Sequence, residues 1–310
     1  MKKLSVIIPF LNEGYEVLST LDSLFSTTNK DFVEVIIIND GSKDKYEEEI
    51  KSRGAIYLEN PIRKGVAFSR DLGVKSCSCK AACFFDAHMR FRNDNWAERM
   101  VSEVEKSPDS LFCTICVRLD PEYTEMTENK PKGYGAGIQL VTGSKKEAEE
   151  ILELKWILLK KRESVYDVPA VLGANYFFNV NQYKKLLGLS GLECWGSDEI
   201  YLSLKYWLSG GACKVCTDIE IGHIFRKGCH PYSTSTEYLY FNKLLVSFTL
   251  FPDNVSQKLL GKLRDNESLR EGLCLFRRNL TQIIEYKRYY DSVFTRTFSQ
   301  VSELLGLKTI

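Results

Sequence analysis

The residues of this sequence best suited to chemistry sit where short apolar runs end. Phe84-Phe85-Asp86-Ala87-His88 closes one such run with an Asp-x-His. Side chains two apart on an extended segment point the same way, so Asp86 and His88 can face one divalent ion. Pairing a carboxylate with an imidazole shifts the preference from magnesium towards manganese. An ion held there could neutralise a leaving diphosphate. The competing reading is a surface turn. A second run, Ile38-Asn39-Asp40-Gly41-Ser42, presents a carboxylate directly after a buried stretch. Asp40 could meet a base or a ribose, or it could cap the next helix through an Asx-type turn.

Positioning such groups requires a sheet. Runs at Leu4–Ile8, Val33–Ile38, Ala55–Leu58, Ala82–Phe85 and Leu111–Val117 are short, apolar and rich in β-branched or aromatic residues. Helix-like segments at Tyr15–Phe25, Lys45–Lys51, Val66–Val74 and Trp96–Glu105 alternate with them. That rhythm predicts an α/β fold with a parallel sheet and helices on both faces. Ligands of such sheets bind beyond the carboxyl ends of the strands, where Asp40 and Asp86 lie. Residues 119–145, with Pro121, Pro131, Gly133, Gly135, Gly137 and Gly143, read as a long surface segment. A helix over Lys145–Lys160, a strand over Ala170–Val180, a helix over Glu199–Leu208 and a strand over Ala212–Val215 are expected next. From about residue 235 the pattern is helical to the end, broken at Pro252 and Gly261.

Four motifs occur in order on successive βα units. They are Ser5-Val6-Ile7-Ile8-Pro9-x-x-Asn12-Glu13, Ile36-Ile37-Ile38-Asn39-Asp40-Gly41-Ser42, Gly65-x-x-x-x-Arg70-x-x-Gly73 and Phe85-Asp86-x-His88. This order resembles the family 2 glycosyltransferases and their glycosyltransferase-A fold, a Rossmann-like nucleotide-binding sheet. The later parts are similar to the catalytic domain of the polypeptide N-acetylgalactosaminyltransferases. That family has Asp-x-His at its metal, a Trp-Gly-Gly-Glu-Asn helix start and a Gly-His-Val-Phe-Arg strand end. Here stand Trp195-Gly196-Ser197-Asp198-Glu199 and Gly222-His223-Ile224-Phe225-Arg226.

The resemblance implies a UDP-sugar donor and a manganese or magnesium ion. It places Pro9, Asn12, Glu13 and Asp40 around the uridine and Arg70 near the nucleotide. Asp86, His88 and His223 become metal ligands, so two of the three histidines in the chain fall on metal positions. Imidazole binds metal when neutral, so metal affinity should fall at acidic pH. Asp198 matches the family's Glu and Glu199 its Asn, which puts the acidic pair near the acceptor and the transferred sugar. Such a carboxylate is the general base in inverting members and holds the sugar in retaining ones. The plainer reading is an acidic first turn favourable to the helix dipole; spacing does not decide which of the two points inward. The basic run Met89-Arg90-Phe91-Arg92 departs from the family pattern, and residues 235–310 match nothing in it.

Composition bounds the rest. With 310 residues, the chain can bury a sizeable core, organised as a catalytic domain over 1–234 and a helical extension over 235–310. A net charge of +1 offers no broad field for nucleic acid. No run approaches the roughly 18 apolar residues of a membrane span, and the chain reads as cytoplasmic. Ten cysteines include Cys113-x-x-Cys116 and Cys213-x-x-Cys216, spaced as zinc ligands. Both pairs lie in strand-like runs rather than turn-rich knuckles, so buried thiols are expected. Residues 236–250 are apolar on more than one helical face, as in a buried helix. The segment Leu273–Tyr290 pairs apolar positions with Arg277, Arg278, Lys287 and Arg288, as an amphipathic helix would. The distal helices are expected to form an acceptor-side wall or a self-association surface.

The function that follows is metal-dependent transfer of a hexose or N-acetylhexosamine from a UDP-sugar to a hydroxyl or thiol on a peptide or saccharide acceptor. The alternative is a nucleotide-sugar-binding protein without turnover. A Rossmann dehydrogenase is excluded, because Pro9–Gly14 holds a single glycine where Gly-x-Gly-x-x-Gly would be needed.

Overall fold

A computed structural model of the chain describes residues 1–141, 151–226, 233–261 and 267–307. β1 (Leu4–Phe10), β2 (Val33–Asp40), β3 (Ile56–Asn60) and β4 (Ala81–Phe85) pair in parallel in the order β4-β1-β2-β3. β1 is buried along its whole length, as its apolar run, interrupted only by Ser5, requires. The chain leaves β1 towards β2 and β3 on one side and returns to β4 on the other. The crevice at this reversal lies beyond Phe10 and Phe85, where an open α/β sheet binds its ligands.

The sheet is mixed rather than parallel throughout. β11 (Asn175–Asn179) enters antiparallel beside β4 and also contacts β6 (Ser110–Leu119). β12 (Ala212–Ile224) runs parallel to β6 and carries β10 (Val165–Asp167) and the short β5 (Met89–Phe91) antiparallel. β7 (Lys132–Gly133) adds to β6, also antiparallel. β12 is much longer than the expected Ala212–Val215. Its register against β6 shifts between Cys216 and Glu220, after which it continues to His223 and sets that residue opposite Met89.

Alternate side chains of the strands feed two cores. Val6, Ile8 and Phe85 face α1 (Glu16–Ser26) and α4 (Trp96–Lys106) through Val17, Leu21, Trp96 and Met100, while Ile50 of α2 (Glu47–Ser52) joins the same layer. Ile7, Ile38 and Phe84 face the opposite layer with α3 (Val66–Ser76), α5 (Val180–Lys185) and α6 (Asp198–Leu208). Gly73 of α3 lies so close to β1 that a Cβ there would sit 2.3 Å from Ile7 Cγ2. No larger residue fits without shifting α3 off the sheet.

The C-terminal helices are α7 (Thr236–Leu250), α8 (Asp253–Gly261), α9 (Glu267–Arg278), α10 (Leu280–Val293) and α11 (Phe298–Leu305). Leu244, Leu245, Ile283 and Tyr290 belong to the same continuous core as Ile7 and Phe84. From Tyr240 to Leu250 every side chain of α7 except Phe248 is buried, as the all-round apolar pattern predicts. In α10 only Ile283 and Tyr290 are buried. No helix among the described residues is long and apolar enough to cross a membrane.

Three expectations fail locally. Residues 145–150 lie outside the described residues, but Ile151–Trp156 is a strand, β9, instead of the second half of a helix. It pairs antiparallel with β8 (Ala136–Val141), inside the stretch expected as irregular surface chain. Pairing in a hairpin overrides the helix preference of Glu, Leu and Lys there. The strand expected over Ala170–Val180 begins only at Asn175, because Ala174 adopts a left-handed φ of 77°. Cys113, Cys116, Cys213 and Cys216 are buried free thiols; Cys229 lies outside the described residues.

Candidate functional site

A cavity of about 360 Å³ opens beyond the carboxyl ends of β1, β2 and β4, within the roughly 300–1,000 Å³ of small-ligand sites. Its wall includes Pro9, Glu13, Asp40, Arg70, Asp86, His88, Asp198, Glu199 and His223. The folded chain therefore brings every sequence-predicted site residue but Asn12 to one surface. Asn12 stands beside the wall at a φ of 54°, where its Oδ1 accepts a hydrogen bond of 2.9 Å from Lys43 N and ties the β1 turn to the β2 turn.

Asp86, His88 and His223 offer one ligand atom each, all within 4.8 Å of one another. Asp86 and His88 lie on the turn from β4 to β5. Thr20 pins this turn from α1: its buried hydroxyl donates to Ala87 O and accepts from Met89 N, both at 2.9 Å. His223 arrives from the end of β12, and the two imidazoles lie 4.8 Å apart between centroids. His223 Nε2 is 3.3 Å from Asp86 Oδ2, a close approach outside hydrogen-bond geometry, and neither buried ring nitrogen of His223 has a hydrogen-bond partner. Orphaned buried nitrogens are rare and need a partner. A divalent cation bound by Asp86, His88 and His223 fits that need.

The protonation states suit the same role. Burial pushes both imidazoles below the ordinary histidine range, against the pull of Asp86, so both favour the neutral ligating form. Burial alone would raise the Asp86 carboxyl, but the His223 ring and the Arg70 charge outweigh it and hold the group well below the usual carboxylate range. His88 Nδ1 lies 3.2 Å from Glu13 Oε2 and 3.3 Å from Arg226 Nη2. Arg226 is itself in close contact with Glu13. Donation from Nδ1–H to the carboxylate is the stronger arrangement and leaves the His88 Nε2 lone pair for a metal. Glu13 therefore orients His88, from its place on the cavity wall.

Arg70 is the hub of the site. It is buried on α3, donates from Nη2 to Asp86 Oδ1 at 2.9 Å and pairs through Nη1 with Asp198 Oδ2. Its guanidinium lies 5.3 Å from the Phe84 ring and 5.0 Å from the Tyr176 ring. Tyr176 also donates to Asp198 Oδ2 at 3.2 Å. Burial, then the neighbouring Asp198 charge, raise the Glu199 carboxyl well above its usual range. Of the acidic pair, Asp198 is the partner of the Arg70 cation and Glu199 favours its protonated form.

Asp40 is buried and already engaged. Oδ1 accepts from Asn60 Nδ2 at 2.9 Å and Lys64 N at 2.8 Å, and Oδ2 accepts from Gly65 N at 2.8 Å. It shapes the turn into α3, where Gly65 has a φ of 95° and a Cβ would lie 2.4 Å from Cys194 Cα. Sequence reasoning missed Tyr176, Trp156 and Arg63, which also line the cavity. Tyr176 sits within Asn-Tyr-Phe-Phe-Asn, a run that reads as core, and Trp156 fell within the expected helix. Arg63, just ahead of the Gly65 motif, is the one whose cationic position could have drawn notice.

Comparisons with known proteins fit this geometry. Residues 5–156 match the family model described as Glycosyl transferase family 2. A putative polypeptide N-acetylgalactosaminyltransferase 13 of Drosophila melanogaster is 28% identical over 244 residues, covering 72% of this chain and 42% of the relative. Human polypeptide N-acetylgalactosaminyltransferase 3 is 24% identical over 258 residues, covering 77% and 40%. The chain spans half or less of the length of these relatives. In fold it resembles the crystal structure of GalNAc-T7 with UDP, GalNAc and Mn2+, with a TM-score of 0.78 at 20% identity, over 98% of this chain and 57% of that one. Staphylococcus aureus TarS in complex with UDP-GlcNAc is more distant, with a TM-score of 0.54 at 14% identity, over 97% and 83%. Such similarity at this identity speaks for the fold, the glycosyltransferase-A sheet with a helical C-terminal extension. With the motifs in order, the family match and the relatives together, the chain carries a family 2 glycosyltransferase domain that resembles the catalytic domain of the polypeptide N-acetylgalactosaminyltransferases.

Proposed function

We propose that this chain transfers a hexose or an N-acetylhexosamine from a UDP-sugar to a hydroxyl or thiol acceptor on a peptide or saccharide. The observation that carries this reading is the convergence of Asp86, His88 and His223 beside the Arg70–Asp198 pair on one cavity. A manganese or magnesium ion held by those three residues would supply positive charge to the departing diphosphate. Glu13 keeps His88 in its ligating tautomer, and Arg70 holds Asp86 and Asp198 at a fixed separation. Two groups hold Asp198 Oδ2: the Arg70 guanidinium and the Tyr176 hydroxyl. So engaged, Asp198 serves as a fixed acceptor that orients the sugar, rather than an open base for the acceptor's proton. Trp156 and Trp195 on the rim offer apolar faces to the sugar or the acceptor. Positioning of donor and acceptor supplies much of the acceleration. The exposed faces of the distal helices are the proposed acceptor-side wall or self-association surface.

The test is incubation with a panel of nucleotide sugars and manganese, with release of the nucleoside diphosphate as the readout. UDP-sugars should be consumed and other nucleotide sugars spared. UDP binding without consumption of any donor, across peptide and saccharide acceptors, would favour the binding-protein alternative.

Asp40 gives a separate check on the nucleotide end. In Asp40→Ala, Lys64 N and Gly65 N lose their acceptor and the turn beside the cavity loosens. The donor KM should rise more than kcat falls. Equal UDP affinity of mutant and wild type in calorimetry would remove Asp40 from the nucleotide site.

A further inference from the structure

Two adjacent polar residues stand out inside α7, a helix that otherwise packs as core: Asn242 and Lys243 are 0% and 3% exposed. Buried polar groups cost stability unless paired, so their partners are informative. Asn242 Oδ1 accepts from Glu193 N at 2.9 Å. Its Nδ2 faces the carbonyls of Glu193 at 2.8 Å, Gly196 at 3.0 Å and Trp195 at 3.2 Å. One carboxamide thus closes the backbone of the loop that ends at Asp198. Next to it, Lys243 Nζ donates to Ile151 O at 2.6 Å and pairs with Glu153 at 2.5 Å on β9, the strand that ends at the cavity residue Trp156.

The loop held by Asn242 needs holding. Cys194, Gly196 and Ser197 have φ values of 50°, 99° and 67°, so two non-glycine residues lie in the left-handed region within four positions. Such backbone persists only where its surroundings over-determine it. The loop carries Trp195 on the cavity rim, delivers Asp198 to Arg70, and accepts Val66 N at Cys194 O with 2.9 Å geometry. An alternative loop path would move the rim and the acidic pair together.

We propose that Asn242 is a positioning residue for the transfer reaction, through which the C-terminal extension completes the catalytic domain's site by holding Glu193–Ser197 in its strained form. The effect on turnover rests on the glycosyltransferase reading; the effect on the loop does not.

The test compares Asn242→Asp, which keeps the shape but turns a donor into an acceptor facing three carbonyls, with Val246→Ala, which thins the packing of the same helix. Two quantities are read: site-resolved labelling of the half-buried Cys194 thiol by mass spectrometry, and kcat for donor consumption. In Asn242→Asp, Cys194 should label about 10-fold faster and kcat should fall about 10-fold or more. Val246→Ala should change neither labelling nor kcat. Unchanged Cys194 labelling in folded Asn242→Asp overturns the proposal, as does an equal change in Val246→Ala. Should the aspartate variant not fold, Asn242→Ser is judged by the same criteria. If the wild type consumes no nucleotide sugar, the labelling comparison alone decides.

Discussion

Chelation should abolish turnover and manganese should restore it, and His223→Ala should weaken Mn2+ binding about 10-fold or more, the scale set by losses even of groups that only support a metal's ligands. The ligand atoms of Asp86, His88 and His223 already stand within 4.8 Å of one another, on two strand ends fixed by the sheet. Removing His223 leaves two ligands of a preformed three, and the orphaned ring nitrogens that favour an ion there disappear with it. Titration of the protein with Mn2+ in a calorimeter measures this without any substrate. The pH dependence has a definite sign. Protons compete with the metal for neutral imidazole, and burial pushes the His88 and His223 values below the ordinary histidine range. Affinity should therefore hold through neutral pH and below the usual histidine midpoint of about 6.5, then fall as acid protonates the rings. Undiminished turnover in excess chelator, or equal Mn2+ affinity in His223→Ala, would remove the metal from this site.

The residues of this cluster were legible in the sequence because they depend on a rule that local chemistry enforces. A buried apolar strand must end where the chain meets polar surroundings, and in a βα alternation those ends share one edge of the sheet. Asp40 and Asp86 follow from that alone, and His223 follows once its Gly-His-Ile-Phe-Arg run is set beside the family motif. What was not legible depends on partners far away in sequence. Tyr176 looks like one more aromatic core residue until β11 inserts between β4 and β6 and its hydroxyl meets Asp198. Trp156 reads as helix because Glu, Leu and Lys surround it, and only pairing with β8 makes it strand. The length of β12 could not be read because a register shift near Cys216 interrupts its alternation. The further partners of Asp40 and Glu13 were hidden for the same reason: their carboxylates are engaged by backbone and side-chain groups whose proximity no spacing announces. Asn242 and Lys243 were visible only as polar interruptions of an apolar helix.

Arg70→Met should cut turnover sharply while leaving Mn2+ binding intact or tighter, and this combination separates Arg70 from the Asp86, His88 and His223 cluster. The guanidinium is 3% exposed in its side chain and bridges Asp86 and Asp198. Methionine has similar reach but no charge, so it leaves Asp198 and its neighbour Glu199 facing Asp86 without the cation that offsets them. Breaking a buried pair by removing one partner costs about 3–5 kcal/mol, and the melting temperature should fall by roughly 10 °C. Metal affinity should move the other way, because the variant removes a positive charge that pairs with Asp86 and competes with a cation for the same carboxylate. Turnover should fall about 100-fold or more, since in its proposed role Asp198 loses the contact that orients it toward the sugar. Arg70→Lys should lie between: it restores charge, but a single ammonium cannot span both carboxylates as the planar fork does. Its melting temperature should recover more than its kcat, since charge balance needs only a cation whereas orientation needs both arms. Kinetics, calorimetry with Mn2+ and thermal melting of the three proteins decide the matter. A loss of metal binding in Arg70→Met parallel to its loss of turnover would instead make Arg70 a support of the metal site, with no separate part in holding Asp198.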